Sequence, residues 1–156
     1  MAGSSFSATV TAWVRQTQLR QEAVRKESVQ RLVDAMQEPV AKGGHLPVDT
    51  GFLRASLRAV IGDQMPAMLE TPKKKGGSYQ FNEGEITGVI ANAKFSDVIT
   101  LAYTAAYARR LEYGFTGTDS LGRHYNQKGR GFVRRATQRW KSIVRDVCKE
   151  ARQRAP

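Results

Sequence analysis

The sequence predicts an α+β fold in which a long N-terminal helix and a C-terminal amphipathic helix pack on a small antiparallel β-sheet. Apolar side chains recur at helical spacing at both ends of the chain, and short apolar segments separated by Gly and Pro lie between them. The length of 156 residues suits a single domain covering 1–156. No run approaches the ~20 apolar residues of a membrane span. The N-terminus lacks the features of a signal peptide. We therefore expect a soluble intracellular protein with no membrane partner.

Residues 1–38 contain the long N-terminal helix, which we predict from about Ser5 to Glu38. Ser4 or Ser5 provides the cap, and Pro39 ends the helix. At 1.5 Å per residue the helix is about 50 Å long, whereas a compact domain of this size has a diameter near ~40 Å. Either the helix kinks or one end projects and needs a partner. The residues that recur at helical spacing are Phe6, Val10, Trp13, Thr17, Val24, Leu32 and Met36, and Val14, Val29 and Val33 widen this face.

The middle of the chain predicts three strands. Leu57–Asp63 forms the first, and a hairpin of Glu85–Ala93 and Asp97–Ala105 forms the other two. The segment from Glu70 to Glu85 contains Pro, three Lys and Gly-Gly, which is typical of an exposed loop. In that loop we expect Lys73–Tyr79 to be mobile in the free protein.

The last third predicts a short helix that ends at Gly114, then a long loop, then a second strong helix. The loop covers the Gly-rich residues 114–131, and we expect its Thr116–Gly129 part to be mobile. The second helix runs from Gly131 to about Arg154 within the basic C-terminal segment 128–156. Its nearly unbroken apolar face indicates that it packs against the core.

The chain is basic, with 25 Lys+Arg, 14 Asp+Glu and a net charge of +11. Most of the excess lies in residues 128–156, which hold ten basic and two acidic residues. A positively charged face opposite the apolar face is either simply solvated or meets a negative partner, which is DNA or an acidic protein surface. The candidate face, which we call the basic row, consists of Arg134, Lys141, Arg145, Lys149 and Arg152.

The stretch "PVDTGFLRASL" contains Asp49-Thr50-Gly51, the tripeptide that carries the catalytic carboxylate of aspartic proteases. That chemistry needs two carboxylates sharing a proton, so a chain with one such tripeptide supplies them only as a symmetric dimer. An apolar strand should precede the motif, but "KGGHLPV" is loop-like. We favour the alternative that Asp49 or Thr50 caps a short helix covering Gly51–Leu57.

No other motif predicts catalysis, a metal or a cofactor. His45 and His124 lie in separate segments, and Gly76-Gly77 lacks the spacing of a phosphate-binding loop. Cys148 lies beside the apolar face of the last helix, where a partly buried thiol is expected. The sequence therefore favours a protein that is not an enzyme.

Three segments, "PVDTGFLRASL", "YTAAYARRLEYGFTG" and "GRGFVRRATQRW", together resemble one family. It is the tail-completion (neck, or head–tail joining) family of long-tailed double-stranded-DNA bacteriophages. Many members have Pro where this chain has Gly131. The matching positions are Thr50, Gly51, Leu53, Arg54 and Ser56 in the first segment, Tyr107, Glu112 and Gly114 in the second, and Phe132 and Arg134 in the third.

The resemblance implies a structural virion protein of the neck or tail, assembled in the host cytoplasm. It implies a homo-oligomeric ring, usually a hexamer, between the head connector or adaptor proteins and the tail tube or tail terminator, with genomic DNA passing through the lumen. The alternative is a small basic nucleic-acid-binding protein, although no zinc-finger, RRM or KH signature is present.

Overall fold

A computed structural model describes residues 5–70 and 76–154 and has the predicted α+β class, with helices at both ends and two small antiparallel sheets. A 3-10 turn at Val40–Lys42 follows the first helix. In chain order the helices and strands are α1 (Phe6–Gln37), α2 (Phe52–Ala55), β1 (Leu57–Ile61), α3 (Glu83–Asn92), β2 (Ile99–Tyr103), α4 (Ala108–Tyr113), β3 (Gly114–Thr118), β4 (His124–Lys128), α5 (Phe132–Gln138) and α6 (Trp140–Arg154).

Helix α1 confirms the predicted N-terminal helix. Ser5 is its N-cap, and the Ser5 hydroxyl accepts a hydrogen bond of 3.3 Å from the amide of Ala8. The helix ends just before Pro39, whose ring is incompatible with a helix interior. Only its second half is packed: Val33 and Met36 are buried, whereas Phe6 is exposed.

The first sheet pairs β1 with β2, from Leu57 opposite Tyr103 to Ile61 opposite Ile99. The predicted strand Glu85–Ala93 is wrong, because this segment is helix α3. Its β-branched residues misled the strand prediction, whereas Ile86 and Ile90 are spaced for one helical face and are both buried. The Asn82 side chain caps the helix by accepting from the amide of Glu85 at 3.2 Å.

The second sheet pairs β3 with β4 as a hairpin, so the prediction of a structureless loop over residues 114–131 is wrong. The Asp119 carboxylate organises the turn: its Oδ1 accepts from the amides of Leu121 and Arg123, both at 2.9 Å. On the strands, the rings of Phe115 and Tyr125 lie 6.1 Å apart, and the Arg110 guanidinium lies 4.4 Å from the Phe115 ring.

Residues Thr116–Gly129 largely belong to this hairpin, and their predicted mobility in the free protein and ordering on assembly stay a prediction for hydrogen exchange. In the other segment expected to be mobile, Lys73–Lys75 lie outside the described residues. At its end, Tyr79 is held by a 2.9 Å hydrogen bond from its amide to the carbonyl of Thr50.

The predicted last helix is divided into α5 and α6 by a break at Arg139. Helix α6 runs antiparallel to α1: Arg139 lies near the C-terminal end of α1, whereas Arg152 lies near Arg20. The buried residues Ile143 and Val147 face the interior, and burial of each side chain contributes about 1.5–3 kcal/mol.

Two apolar clusters hold the elements together. The first joins α1, α3, β1 and α5, and the second joins α2, α4 and α5. The buried members of the first cluster are Val29, Val33, Met36, Leu57, Ala59, Ile86, Ile90 and Ala136. Those of the second are Leu46, Phe52, Leu53, Ala105, Ala108 and Phe132.

None of the helices in the described ranges is long and apolar enough to cross a membrane.

We predict that Asp119→Ala melts the hairpin while the rest of the fold persists, because a two-stranded hairpin is marginal alone. Asp63→Ala, which removes an exposed carboxylate elsewhere, is the control. NMR amide exchange in β3 and β4 measures the effect. Equal protection of these amides in the parent and in Asp119→Ala would contradict the role given to this carboxylate.

The same carboxylate predicts a pH dependence. Hydrogen bonding to Asp119 lowers its carboxyl pKa from 3.8 to about 2, and the largest contribution comes from the Arg123 amide. Because this pKa is lower in the folded than in the unfolded chain, the ionised carboxylate stabilises the hairpin fully above pH 3.8. This stabilisation is lost as the pH falls through about 2. In an acid titration followed by NMR, the Asp119 carboxyl should therefore titrate below the carboxyl of an unfolded chain.

Candidate functional site

The three segments that carry the family resemblance are distant in sequence but meet at Phe132. Phe132 is buried in the second cluster, together with Phe52 and Leu53 from the first segment. The second segment contributes Tyr107, whose ring centroid lies 6.2 Å from that of Phe52. The Tyr103 ring stands edge-on to Phe132, with a centroid distance of 5.0 Å. Several motif residues therefore lie at the centre of one packed unit.

Thr50 and Gly51 form the entry to helix α2. Gly51 has φ +83°, and a Cβ atom there would lie 2.3 Å from the carbonyl oxygen of Tyr79. Both the backbone conformation and the close approach require glycine. The Thr50 hydroxyl accepts from the amide of Phe52 at 3.4 Å, which closes a local turn, but the N-cap residue of α2 is Gly51 and no side chain caps the helix. The predicted helix is present but shorter than Gly51–Leu57, and the predicted capping by Asp49 or Thr50 is wrong, because the N-cap position falls on Gly51.

Ser56 and Arg54 connect α2 to neighbouring elements. Ser56 is fully buried; its hydroxyl donates to the carbonyl of Leu53 at 2.7 Å. Its carbonyl accepts from both the amide and the hydroxyl of Thr104, at 3.0 and 2.7 Å. The Arg54 carbonyl accepts from the side-chain amide of Gln37 at 3.1 Å, which ties α2 to the end of α1. These contacts satisfy the buried groups of Ser56 and Thr104, whereas the Oε1 atom of Gln37 and the Nε atom of Arg54 are buried without a hydrogen-bond partner among the described residues.

Glu112 makes the most informative contact of the motif residues. Its buried carboxylate accepts hydrogen bonds from the backbone amides of Val133 and Arg134, both at 2.9 Å. Gly131 is the N-cap of α5 and has no side chain with which to cap it. The carboxylate from α4 therefore satisfies amides that the helix itself leaves unpaired, next to the positive end of its dipole.

Tyr107 and Gly114 flank this contact in the second segment. Burial, followed by the negative charge of Asp49, raises the pKa of the Tyr107 phenol. Gly114 has φ +89°, and a Cβ atom there would lie 2.6 Å from the carbonyl oxygen of Gln127. The glycine thus permits the change from α4 directly into β3.

The basic row lies away from this packed unit, apart from Arg134. Lys141, Arg145, Lys149 and Arg152 follow one face of α6 at spacings of four, four and three residues, and all are exposed. Arg134 is also exposed but belongs to α5, before the break. Among the residues that the structure describes, no ion pair or side-chain hydrogen bond involves any of the five basic side chains.

The acidic residues of α6 leave this positive charge in place. The Glu150 carboxylate accepts from both terminal nitrogens of Arg31, at 2.9 and 2.6 Å, so it faces α1. That hydrogen bonding lowers the pKa of the Glu150 carboxyl and raises the pKa of Arg31. Asp146 is exposed in the described structure. The row is therefore an unneutralised face available to a partner.

Asp49 lies at the edge of a small cavity lined by Pro47, Thr50, Phe52, Tyr107 and others. Asp49 is the only carboxylate among those lining residues. An acid–base pair of the aspartic-protease kind is therefore not formed within the described part of one chain. In the same described ranges, no group of three or more His, Cys, Asp or Glu side chains is arranged to hold a metal ion.

Comparisons of the chain with protein-family models, curated proteins and solved structures gave no match.

The sequence motif pointed to Glu112 but not to its role. The signal that predicts this role is Gly131, since a helix beginning at a glycine must take an acceptor for its first amides from elsewhere. Only the fold identifies Glu112 as the residue that supplies this acceptor, because a complete β-hairpin separates Glu112 from the helix in the sequence.

We predict that Glu112→Gln lowers the free energy of unfolding by about 1–3 kcal/mol. A carboxamide offers one oxygen where two amides need acceptors, and it places an N–H against a donor. Glu70→Gln, at an exposed position, should stay within about 0.5 kcal/mol of the parent. Urea unfolding measures both, and equal stability of the two variants would contradict the capping role.

A second prediction separates backbone strain from close packing. Gly43→Ala should cost about 1–2 kcal/mol, since Gly43 has φ +90° but no atom near the new Cβ. Gly51→Ala should cost at least about 3 kcal/mol, because it adds a clash with Tyr79 to similar strain. The comparison again uses urea unfolding. Equal costs would show that the approach of Tyr79 to Gly51 is unimportant.

Proposed function

We propose that the protein is a structural component of a bacteriophage virion, where it forms a ring that joins the head connector to the tail tube. The observation that carries the proposal is the meeting of the three family-like segments around Phe132. Three segments that contact one another in a single packed unit support a fold shared with the resembled family better than three separate sequence motifs do.

The ring is homo-oligomeric and most simply a hexamer, placed between the head connector or adaptor proteins and the tail tube or tail terminator. Its lumen passes the genomic DNA, and assembly takes place in the host cytoplasm. The outward edges of β3 and β4 support this proposal, since each offers unpaired backbone groups to a neighbouring subunit. The role is structural and requires no catalysis.

The basic row supports contact with an adjoining negative surface. Like charges at neighbouring helical positions cost a few tenths of a kcal/mol per pair, and the described residues offer no internal compensation. We favour an acidic face of an adjoining ring over DNA, because a channel that binds phosphates tightly would retard the moving genome.

A second candidate function is binding of nucleic acid by a small basic protein. The observation that favours it is the same unneutralised row on α6, which could neutralise phosphates without base contacts. Non-specific binding with a steep salt dependence would be its signature, with a slope of about −0.9 per phosphate contact on duplex DNA.

One set of variants distinguishes the two functions. Lys141, Arg145 and Lys149 are replaced by Gln together; the control replaces Lys42, Arg109 and Lys128, exposed on other elements, and removes the same charge. We expect both variants to fold, head–tail joining to fall at least about tenfold only in the first, and parent DNA affinity to be weak. Impaired DNA binding with normal joining would favour the second candidate. Normal behaviour of both variants would show that the row is only solvated.

A further inference from the structure

The N-terminal part of α1, residues 6–19, extends past the end of α6 and is called the arm. Contacts between the two helices reach Arg20 of α1, beside Arg152 and Arg154 of α6. The loop at Lys94–Phe95 lies beside Arg15, Gln18 and Leu19 of α1. The arm is about 20 Å long at 1.5 Å per residue, and residues 6–16 are exposed.

One face of the arm is apolar and exposed. Phe6, Val10, Trp13 and Val14 recur at helical spacing, and Phe6 and Trp13 are 85% and 65% exposed. Among residues 6–19 the only charged side chain is Arg15, which lies on the opposite side of the helix. An aromatic face of this kind is not a solvated surface but is typical of an interaction site.

The arm is weakly stabilised by its own sequence. It continues a helix that the packed half of α1 already nucleates, but Thr and Val have a lower helix propensity than Ala or Leu. Within the arm, the hydroxyls of Thr11 and Thr17 bond back to the carbonyls of Ser7 and Trp13, and this bonding adds little stability. Burial of the apolar face against a partner supplies the missing stabilisation.

The apolar face continues into a groove on the same molecule. Val24 lies five helical turns after Phe6, on the same side of α1. Beside it, between α1 and α6, is a groove of about 570 Å³ lined by Ala23, Val24, Val147, Cys148 and Ala151, and also by the charged residues Arg20, Glu27, Glu150, Arg152 and Arg154. Each chain therefore carries both an apolar arm and a groove with an apolar part bordered by charged side chains.

We propose that the arm pairs with the arm of a second copy of this chain, antiparallel, about a two-fold axis near Val14. Phe6 lies about 12 Å along the helix from Val14, and Ala23 lies about 14 Å on the other side. In such a pair, Phe6 of each copy reaches the groove of the other. The interface is isologous and closes as a dimer. This inference concerns the unassembled chain and does not depend on the proposed function.

Charge and area both select a second copy as the occupant. The net charge of +11 opposes self-association on most faces, but the arm face carries no charge of either sign. Nucleic acid would require cations there. Two largely exposed aromatic residues and two Val side chains offer roughly 500 Å² per copy, hence about 1,000 Å² in total. That area is at the lower limit of a specific interface, so the dimer is weak and dissociates on dilution.

Sedimentation equilibrium of the full chain tests the dimer. The parent should show a concentration-dependent mass that reaches twice that of the chain. Phe6→Ser with Trp13→Ser should weaken dimerisation at least about a hundredfold, because buried aromatic residues dominate interface energy. The control is Leu19→Ser, since Leu19 is exposed but lies on the other side of the helix. A parent that stays monomeric, or a dimer insensitive to the double substitution, overturns the proposal.

Disulfide cross-linking tests the antiparallel geometry. In a Cys148→Ala background, whose dimerisation is first matched to the parent by sedimentation because Cys148 lines the groove, Val14→Cys should form a disulfide-linked dimer, since the two copies of residue 14 meet at the axis. Thr11→Cys, on another side of the helix, should not. Absence of the Val14→Cys dimer overturns the pairing, including when larger oligomers form. Binding of the monomer to anionic phosphatidylglycerol vesicles, lost in the Phe6/Trp13 variant and accompanied by no dimer, also overturns it in favour of a lipid surface.

Discussion

The N-terminus of α5 is the point on which the remaining structure depends. Gly131 lets the chain turn into the helix but supplies no side-chain acceptor, and Glu112 supplies both acceptors from α4. Nearby, the carbonyls of Leu111 and Glu112 accept from the amides of Arg130 and Gly131, at 2.7 and 3.0 Å. These four hydrogen bonds close the hairpin, start the C-terminal helices and place Phe132 in its cluster.

The sequence predicts the parts of the fold whose signals are local and long. Helix α1 has caps and sustained periodicity, and β1 lies within the predicted strand. The strand prediction for Glu85–Ala93 failed because Ile86 and Ile90 fit both strand propensity and helical spacing. Only their packing on α1 and β1 decides between a strand and a helix. The hairpin after Gly114 failed because its strands are polar and exposed, so no apolar alternation marks them.

The candidate sites divide into residues that build the fold and residues that remain free. Thr50, Gly51, Ser56, Glu112 and Phe132 are engaged in caps, tight turns and packing, so their motif indicates a fold rather than chemistry. The side chains of the basic row and the apolar side chains Phe6, Val10, Trp13 and Val14 of the arm are exposed within the described ranges, and one set is charged while the other is neutral. Under the two proposals made above, the apolar arm meets a second copy of this chain and the basic row meets a different protein.

Electron microscopy of particles made without this chain tests the central claim most directly. If the protein joins head to tail, a phage lacking its gene should accumulate DNA-filled heads and separate tails, and adding the purified chain should produce joined virions. Normal joined virions made in its absence would contradict the account. So would separate heads and tails that the purified chain does not join.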